Sequence, residues 1–291
     1  MSQIAWDSQP LDAWARLHAR GKTVELDGLR THYRECGAGE PLILLHGFFY
    51  DSGMWERNLD ALARHFHVYA LDLWGFGYST REPLEYGYAL YARQVLAFMD
   101  QLGITRASVM GQSMGGGVAI KLAVDHPERV DRLVLVDAAG MPNRLPLSGK
   151  LLKAFPALGR FLYGLNTDAI RKQALADYFI LDKALLTQAY FDEVTRFHKV
   201  QGSTEVFARI IQLDFFYTLQ DEIERLGQLG KRILIVWGRE DRGNPLTLGE
   251  AMHQKLSGSI LRVMDKTRHV PNAERPEEFN ALALEFLRAP S

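Results

Sequence analysis

The sequence predicts an α/β fold with a mostly parallel, doubly wound sheet and an inserted helical cap. Short apolar runs, such as residues 41–45, 68–71 and 232–237, alternate with longer segments of helical periodicity. Strands that are apolar throughout are buried on both faces, as in a parallel sheet covered by helices on each side. Polar and glycine-rich residues follow several of these runs, at the carboxyl edge where such sheets bind their ligands.

Composition narrows the class of protein. The chain has 291 residues, 47% of them hydrophobic, which suits one α/β domain with an insertion. Its 34 Lys and Arg nearly balance 35 Asp and Glu, and no basic run suggests nucleic-acid binding. The single cysteine, Cys36, cannot form an intramolecular disulfide. With no signal-peptide pattern and no apolar stretch long enough to span a membrane, we expect a soluble, cytoplasmic protein.

The N-terminal residues 1–21 are predicted to form a helical flap. A proline in its first turn and a glycine at its end indicate a helix over residues 10–20. Its apolar stripe is expected to pack on the body of the protein. Residues 23–26 and 30–34 follow as strands, joined by Asp27-Gly28, a strong signal for a tight β-hairpin.

The rest of the chain divides into a core, residues 22–141 and 218–291, and a cap, residues 142–217. No strand-like run occurs in the cap, where apolar residues recur at helical spacing and interrupt the α/β alternation. The predicted core strands are 41–45, 68–71, 107–110, 132–137, 232–237 and 260–264. The predicted helices are 54–66, 88–102, 118–123, 221–229, 246–256 and 276–287 in the core, and 151–163, 169–179, 182–200 and 204–213 in the cap.

The segment Gly111-Gln112-Ser113-Met114-Gly115 carries the most specific chemical signal. It lies between a short apolar run and a helical segment. A serine on such a tight strand-to-helix turn needs small neighbours, because a Cβ two residues away would collide with the crossing backbone. The turn presents the hydroxyl at a helix N-terminus, where free N–H groups can stabilise an oxyanion. Ser113 is therefore a candidate nucleophile.

Together with three other motifs, this segment resembles the α/β-hydrolase superfamily. The others are His46-Gly47 after a strand, Gly238-x-x-Asp241 after a late strand, and His269 before the last helix. All four occur in the order typical of the superfamily, and the resemblance covers nearly the whole chain apart from the flap. It implies an α/β-hydrolase fold, a Ser-His-Asp triad and no cofactor.

The resemblance assigns each residue a task. Ser113 would be the nucleophile, which is weak until a base removes its proton. His269 would be that base and would return the proton to the leaving group. Asp241 would hold the imidazole tautomer and stabilise the imidazolium. The backbone N–H groups of Phe48 and Met114 would form the oxyanion hole.

Other titratable residues compete for these roles. Asp137 ends the strand before the cap, where some relatives such as haloalkane dehalogenases carry their acid; Asp241 is favoured because Gly-x-x-Asp is the commoner position. Asp72 also ends a strand and is expected to pin the following loop. His46 is expected to organise its loop. The scattered histidines match no metal-ligand spacing, so we predict no metal.

The predicted triad and its motifs resemble those of several classes of hydrolase. Haloalkane dehalogenases and epoxide hydrolases use an aspartate nucleophile, which Ser113 argues against. The carbon–carbon hydrolases of aromatic degradation share Gly-x-Ser-Met-Gly-Gly and Gly-Arg-x-Asp-Arg, but usually carry tryptophan after the histidine, where this chain has Val270. Cofactor-free perhydrolases share Ser-Met-Gly-Gly. We therefore predict a carboxylesterase or monoacylglycerol-lipase type of enzyme, with carbon–carbon hydrolase, perhydrolase and non-catalytic receptor as alternatives.

Apolar residues near the predicted pocket indicate the substrate. Phe49 and Phe76 lie in loops expected at the site, and Phe155 and Leu158 lie on an apolar stripe of the cap. Each buried methylene adds about 0.8 kcal/mol of transfer free energy, so such a pocket favours apolar acyl groups. We predict that the partner is a small, uncharged ester with a short-to-medium acyl chain. The sequence leaves the oligomeric state open.

Overall fold

The computed structural model describes residues 4–143, 168–212 and 218–290, and an eight-stranded sheet runs through them. The strands are β1 (Lys22–Leu26), β2 (Leu29–Cys36), β3 (Pro41–Leu45), β4 (His67–Leu71), β5 (Ala107–Gln112), β6 (Val130–Val136), β7 (Arg232–Gly238) and β8 (Ile260–Met264). Their order in the sheet is β1-β2-β4-β3-β5-β6-β7-β8. β2 pairs antiparallel with β1 and β4, and all other pairs are parallel. The predicted mostly parallel α/β sheet is confirmed.

Helices account for about half of the remaining described residues. They are α1 (Leu11–His18), α2 (Glu56–Ala63), α3 (Tyr88–Gln101), α4 (Met114–Asp125), α5 (Asp168–Ala174), α6 (Gln188–Thr195), α7 (Ser203–Gln212), α8 (Gln220–Gln228), α9 (Leu246–Lys255), α10 (Pro271–Glu274) and α11 (Pro276–Arg288). None of the helices in the described ranges is long and apolar enough to cross a membrane.

Helices cover both faces of the sheet because its central strands are apolar on both sides. In β3, Ile43 and Leu45 pack on one face, and Leu42 and Leu44 pack on the other. All four side chains are fully buried. Residues of α3, α4, α8 and α9 complete the first apolar cluster, and residues of α2 and α11 complete the second. The sheet is therefore doubly wound, and its carboxyl edge remains available for a site.

The hairpin between β1 and β2 follows directly from its two turn residues. Asp27 and Gly28 have φ angles of 52° and 74°. Two consecutive positive φ angles form the turn whose twist matches that of the flanking strands, and aspartate followed by glycine adopts it readily. The pairing Leu26 with Leu29 closes a two-residue loop, as predicted.

Several predicted helices are shorter or more broken than their periodicity indicated. The one predicted over 54–66 begins with a 3-10 turn, Ser52–Trp55, because the Asp51 carboxylate accepts a hydrogen bond from Gly53 N–H. The one predicted over 182–200 is divided, since Thr187 caps α6 by accepting from Tyr190 N–H. Polar side chains that bond to nearby backbone compete with continuous helix.

The N-terminal segment hydrogen-bonds to the helical segment that follows residue 167. Asp7 N–H donates to His198 O, and Gln201 N–H donates to Gln9 O. The indole of Trp14, on α1, donates to Arg196 O at 3.0 Å. The segment thus lies along residues 196–201. Residues 144–167 and 213–217 of the predicted cap, with Phe155 and Leu158, lie outside the described residues.

Candidate active site

Ser113 lies on a strained turn between β5 and α4. Its φ and ψ are 50° and −113°, a conformation that costs a residue with a side chain roughly 1–3 kcal/mol. A Cβ on Gly115 would lie 2.4 Å from Leu45 O, and one on Gly111 would lie 2.2 Å from Gly115 O. Only glycine fits at either position, which is why the sequence pattern identified this turn. Ser113 is half-buried at the N-terminus of α4.

Asp241 and His269 form a buried hydrogen-bonded pair. The carboxylate Oδ2 lies 2.7 Å from His269 Nδ1. Oδ1 accepts from the N–H groups of Gly243, at 2.7 Å, and Asn244, at 3.0 Å. These two donors hold the carboxylate in place, and an ionised carboxylate requires Nδ1 of the neutral imidazole to carry the proton. Nε2 of His269 is then left as a base.

Gln112 joins the histidine loop to the serine turn. Its side-chain N–H donates to His269 O at 2.6 Å, across 157 residues of sequence. His269 N–H donates to Phe179 O at 3.1 Å. The histidine backbone is thus held next to the residue that precedes Ser113. No sequence pattern indicated this role for Gln112, because a glutamine in this motif gives no sign of its distant partner.

The loop after β3 lies against Ser113. A Cβ on Gly47 would come within 3.3 Å of Ser113 Cβ, so the following peptide, which carries Phe48 N–H, lies beside the nucleophile. Met114 is the first residue of α4, where backbone N–H groups have no partner within the helix. The two proposed oxyanion donors therefore flank the serine from different elements. That these two donors form an oxyanion hole stays a prediction.

His46 holds this loop in place. Its Nδ1 donates to Gly47 O at 2.8 Å, and its Nε2 accepts from Leu73 N–H at 3.0 Å. The ring is completely buried, and burial lowers its pKa to about 4. His46 is therefore neutral at physiological pH and both its nitrogens are engaged. These contacts agree with the expected organising role.

Several aromatic rings lie close to the serine turn and to His269. Phe48 and Phe49 are partly exposed, with ring centroids 4.4 Å apart. Phe49 stacks on Phe207 of α7 at 5.4 Å. Phe179 lies edge-on to the His269 ring at 5.3 Å. Apolar aromatic surface therefore borders the proposed catalytic residues from both the loop after β3 and the helical segment.

Two positions differ from expectation or were not foreseen. Phe76 is fully buried behind Phe48 and His46, so it supports the loop rather than facing a substrate. Arg171 is 4% exposed, and its guanidinium lies 4.4 Å over the Phe49 ring and donates to Phe49 O. A lone arginine at helical spacing resembles a surface residue, so nothing in the sequence marked it.

Asp137 lies beside the triad acid but makes different bonds. It is completely buried at the end of β6, and its Oδ1 accepts from Gly238 N–H at 2.9 Å. Burial and the charge of Asp241 raise the pKa of Asp137 well above its usual range. In the described part of the chain, Asp137, Asp241 and His269 are the one group close enough to hold a metal ion. Asp241 and His269 already bond to each other, and the absence of a metal stays a prediction.

Comparison with known proteins places this site in a family. Residues 40–181 match the model of the α/β hydrolase fold. The chain is 34% identical over 269 residues to a dihydrolipoyllysine-residue acetyltransferase component of the acetoin cleaving system of Cupriavidus necator, covering 91% of this chain and 68% of that protein. It is 30% identical over 276 residues to the 2-hydroxy-6-oxo-6-phenylhexa-2,4-dienoate hydrolase of Comamonas testosteroni, covering 91% and 93%. The chain belongs to the α/β-hydrolase family.

Further similarities are to two kinds of enzyme. Four other relatives, between 27% and 31% identical, have names of the same 2-hydroxy-6-oxo type. A solved structure of a membrane phospholipase A is 29% identical, with a TM-score of 0.76 over 92% of this chain and 85% of that one. The first kind is named as hydrolases of 2-hydroxy-6-oxo acids, and the second as a phospholipase A.

Proposed function

We propose that the protein is a serine hydrolase that cleaves a carbon–carbon bond next to a ketone in a vinylogous diketone. The serine-hydrolase part of this proposal rests on one observation, the buried Asp241–His269 pair held beside the strained Ser113 turn. The relatives that match more than 85% of both chains support the choice of bond, because the unsaturated 2-hydroxy-6-oxo acids in their names are enol tautomers of vinylogous diketones.

Each residue of the proposed triad performs one step. Ser113 Oγ attacks the carbonyl while His269 Nε2 takes its proton, and Asp241 stabilises the imidazolium. The N–H groups of Phe48 and Met114 receive the oxyanion. The 2-hydroxydienoate must first tautomerise to its 2-oxo form, in which the enol proton has moved to the carbon next to the ketone. When the bond to that carbon then breaks, its electron pair is delocalised as a conjugated enolate, and His269 gives the proton taken from Ser113 to this leaving enolate. Water, activated by the same histidine, then hydrolyses the acyl-enzyme, so the overall reaction consumes one water.

The aromatic border of the site supports an apolar acyl part in this substrate. Phe48, Phe49 and Phe179 are partly exposed around the nucleophile, and Phe207 backs them. An aryl or alkyl ketone would bury its apolar group against these rings. Aromatic contacts of this kind add about 0.5–1.5 kcal/mol beyond the buried area.

Ester hydrolysis is the second candidate, and a specific residue favours it. Val270, which is fully buried, follows His269 where the resembling carbon–carbon hydrolases usually carry tryptophan. The similarity to a phospholipase A also supports this reading. The same triad and oxyanion hole would cleave an uncharged carboxylic ester with a short-to-medium acyl chain, the alcohol leaving in place of the carbon.

One comparison of substrates separates these candidates. We would measure kcat/KM for 2-hydroxy-6-oxo-6-phenylhexa-2,4-dienoate and for p-nitrophenyl esters from acetate to palmitate. We expect the diketone to exceed the best ester by at least about tenfold, roughly 1.4 kcal/mol in transition-state binding. The reverse order would make the protein an esterase. If wild-type protein neither turned over any substrate nor reacted with a fluorophosphonate at Ser113, both readings would be wrong and a receptor would remain.

A further inference from the structure

The ring of His198 connects the N-terminal segment with the loop after β3. His198 lies in a 3-10 turn, Arg196–Lys199, and is 1% exposed. Its imidazole stacks on Trp6, with ring centroids 4.6 Å apart, and on Phe207 at 5.2 Å. Phe207 in turn stacks on Phe49 at 5.4 Å. A row of nearly parallel rings, with interplanar angles from 20° to 28°, therefore runs from Trp6 to Phe49.

The loop that carries the proposed donor Phe48 N–H is held on both sides. The carbonyl of the preceding residue accepts a hydrogen bond from the His46 ring at 2.8 Å. The Phe49 carbonyl accepts from the Arg171 guanidinium at 3.2 Å, and the His198 ring also hydrogen-bonds to the Phe49 backbone. His46 thus fixes the loop from the core of the protein, whereas Arg171 and His198 fix it from the helical segment.

The N-terminal segment keeps His198 in this position. The backbone of His198 is fixed because its carbonyl accepts from Asp7 N–H at 2.9 Å. Trp6 covers one face of the ring, and its indole N–H donates to the Asp168 carboxylate at 2.5 Å. Lys199 Nζ donates to the same carboxylate oxygen at 3.0 Å and lies 5.1 Å from the Trp6 ring. Stacking, hydrogen-bond and cation–π contacts therefore set the position of the indole over the imidazole.

We propose that His198 is a positioning residue that orients the oxyanion loop, residues 46–49, and that Trp6 holds His198 in place. The inference rests on the proposed serine-hydrolase function. His198 and Arg171 hold the Phe49 backbone together, so that Phe48 N–H stays directed toward the charge that develops in the transition state. Substrate binding does not require this constraint, so its loss should lower kcat and leave KM nearly unchanged.

The charged groups around the imidazole require the ring to stay neutral. Arg171, Arg81 and Lys199 are close enough to act on it, and the Asp168 carboxylate already bonds to Lys199. Burial and these three positive charges lower the pKa of His198 well below its usual range. A proton on the ring would face these cations in a buried site, and it would repel the guanidinium that shares the same loop.

Loss of the Trp6 indole should therefore make the activity sensitive to acid. Water would reach the His198 ring, and its pKa should rise toward the usual histidine range. Protonation at mildly acidic pH would then separate His198 from Arg171 and release the oxyanion loop. If Trp6 served only to pack the N-terminal segment, Trp6→Ala would lower the free energy of unfolding and leave the pH dependence of the reaction unchanged.

The test is the rate at which a fluorophosphonate labels Ser113 between pH 5 and pH 8, with kcat and KM for the preferred substrate measured beside it. In wild type, protonation of His269 alone should lower the logarithm of this rate with a slope of about one. Trp6→Ala should slow labelling about tenfold at pH 7.5, less than the loss of about 10²–10³-fold on removal of an oxyanion donor. Below about pH 6 its slope should approach two, because His198 takes up a second proton.

Further variants separate the contacts. Trp6→Phe keeps a ring over the imidazole and should restore labelling to within about twofold of wild type. His198→Phe keeps the stack but loses the bond to Phe49, and should slow labelling about tenfold with a slope of about one. His198→Gln in the Trp6→Ala background should remove the steeper limb. The matched control is Trp14→Ala, which removes the other indole of the segment, bonded to Arg196 O, and should lower stability without steepening the slope.

Urea unfolding at each pH would establish that the variants are folded during the assay. A slope of one in Trp6→Ala, an unchanged labelling rate in His198→Phe, or an equally steep limb in Trp14→Ala would overturn the proposal. If Trp6→Ala does not fold, the comparison of Trp6→Phe with His198→Phe still decides it, since equal rates in the two would contradict a role for the bond to Phe49. Wild-type protein that is not labelled would instead refute the proposed function.

Discussion

Protonation of His46 should destabilise this protein at mildly acidic pH, through the loop that carries a proposed oxyanion donor. Because Nε2 accepts from Leu73 N–H and Nδ1 donates to Gly47 O, the neutral ring satisfies both contacts. An added proton on Nε2 would face the N–H of Leu73 in a fully buried site. The folded protein therefore resists this proton, whereas the unfolded chain takes it up freely.

The magnitude follows from the two pKa values. Burial lowers the pKa of His46 from 6.5 to about 4 in the folded protein. A lowered folded-state pKa contributes stability that is present above pH 6.5 and is lost as the pH falls through 4. The full difference corresponds to about 3 kcal/mol, of which about 2 kcal/mol should be lost between pH 7.5 and pH 5.

Urea unfolding of wild type and His46→Gln at pH 7.5 and pH 5 would measure how much His46 contributes to the pH dependence of the free energy of unfolding. Other buried groups change the stability in the opposite direction on acidification. Burial and the charge of Asp72, for example, raise the pKa of Asp51 to about 7. Only the difference between wild type and His46→Gln therefore reports on His46. Wild type should lose about 2 kcal/mol more than His46→Gln on acidification. His126→Gln, at a half-exposed helix end, should follow wild type. An equal loss in wild type and His46→Gln would refute the reasoning.

Three further outcomes are expected. Ser113→Ala should lower kcat/KM about 10⁵–10⁶-fold in steady-state assays; retention of a tenth of the activity would rule out the serine mechanism. Asp241→Asn should lower kcat about 10⁴-fold, more than Asp241→Ala, because an amide donor at Nδ1 favours the wrong imidazole tautomer. A loss below tenfold would contradict this. Arg268→Ala should lower the free energy of unfolding by about 1–3 kcal/mol, since Arg268 is buried and donates to the carbonyls of Asp177 and Ile180. A decrease no larger than that of the exposed Arg64→Ala would speak against it.

Local patterns in the chain were enough to predict the architecture. The Asp27-Gly28 turn, the apolar run of β3 and the glycines around Ser113 each act on neighbouring residues. Their effects depend on sterics and on alternation over a few positions, both of which are visible in a linear sequence. The order of strands and helices along the chain and the position of the proposed nucleophile therefore needed no structure.

The surroundings of the site depended on partners far along the chain. Phe76 becomes core because Phe48 and His46 fold over it, and Arg171 reaches Phe49 across 122 residues. Such contacts are made between side chains that share no local spacing, so no periodicity marks them.

Asp137 and Asp241 show most clearly what the sequence determines and what only the tertiary structure decides. In the sequence, Asp137 ends one predicted parallel strand and Asp241 follows another, at the same edge of the sheet. The sequence could therefore only favour Asp241 over Asp137 as the triad acid. The folded chain places Asp241 Oδ2 at 2.7 Å from His269 Nδ1 and turns Asp137 toward Gly238 N–H. Strand order brings both carboxyls to one place, and Asp241 finds two donors in its own loop, Gly243 and Asn244. The partners that distinguish the two, His269 for Asp241 and Gly238 for Asp137, are distant in the sequence and come together only in the tertiary structure.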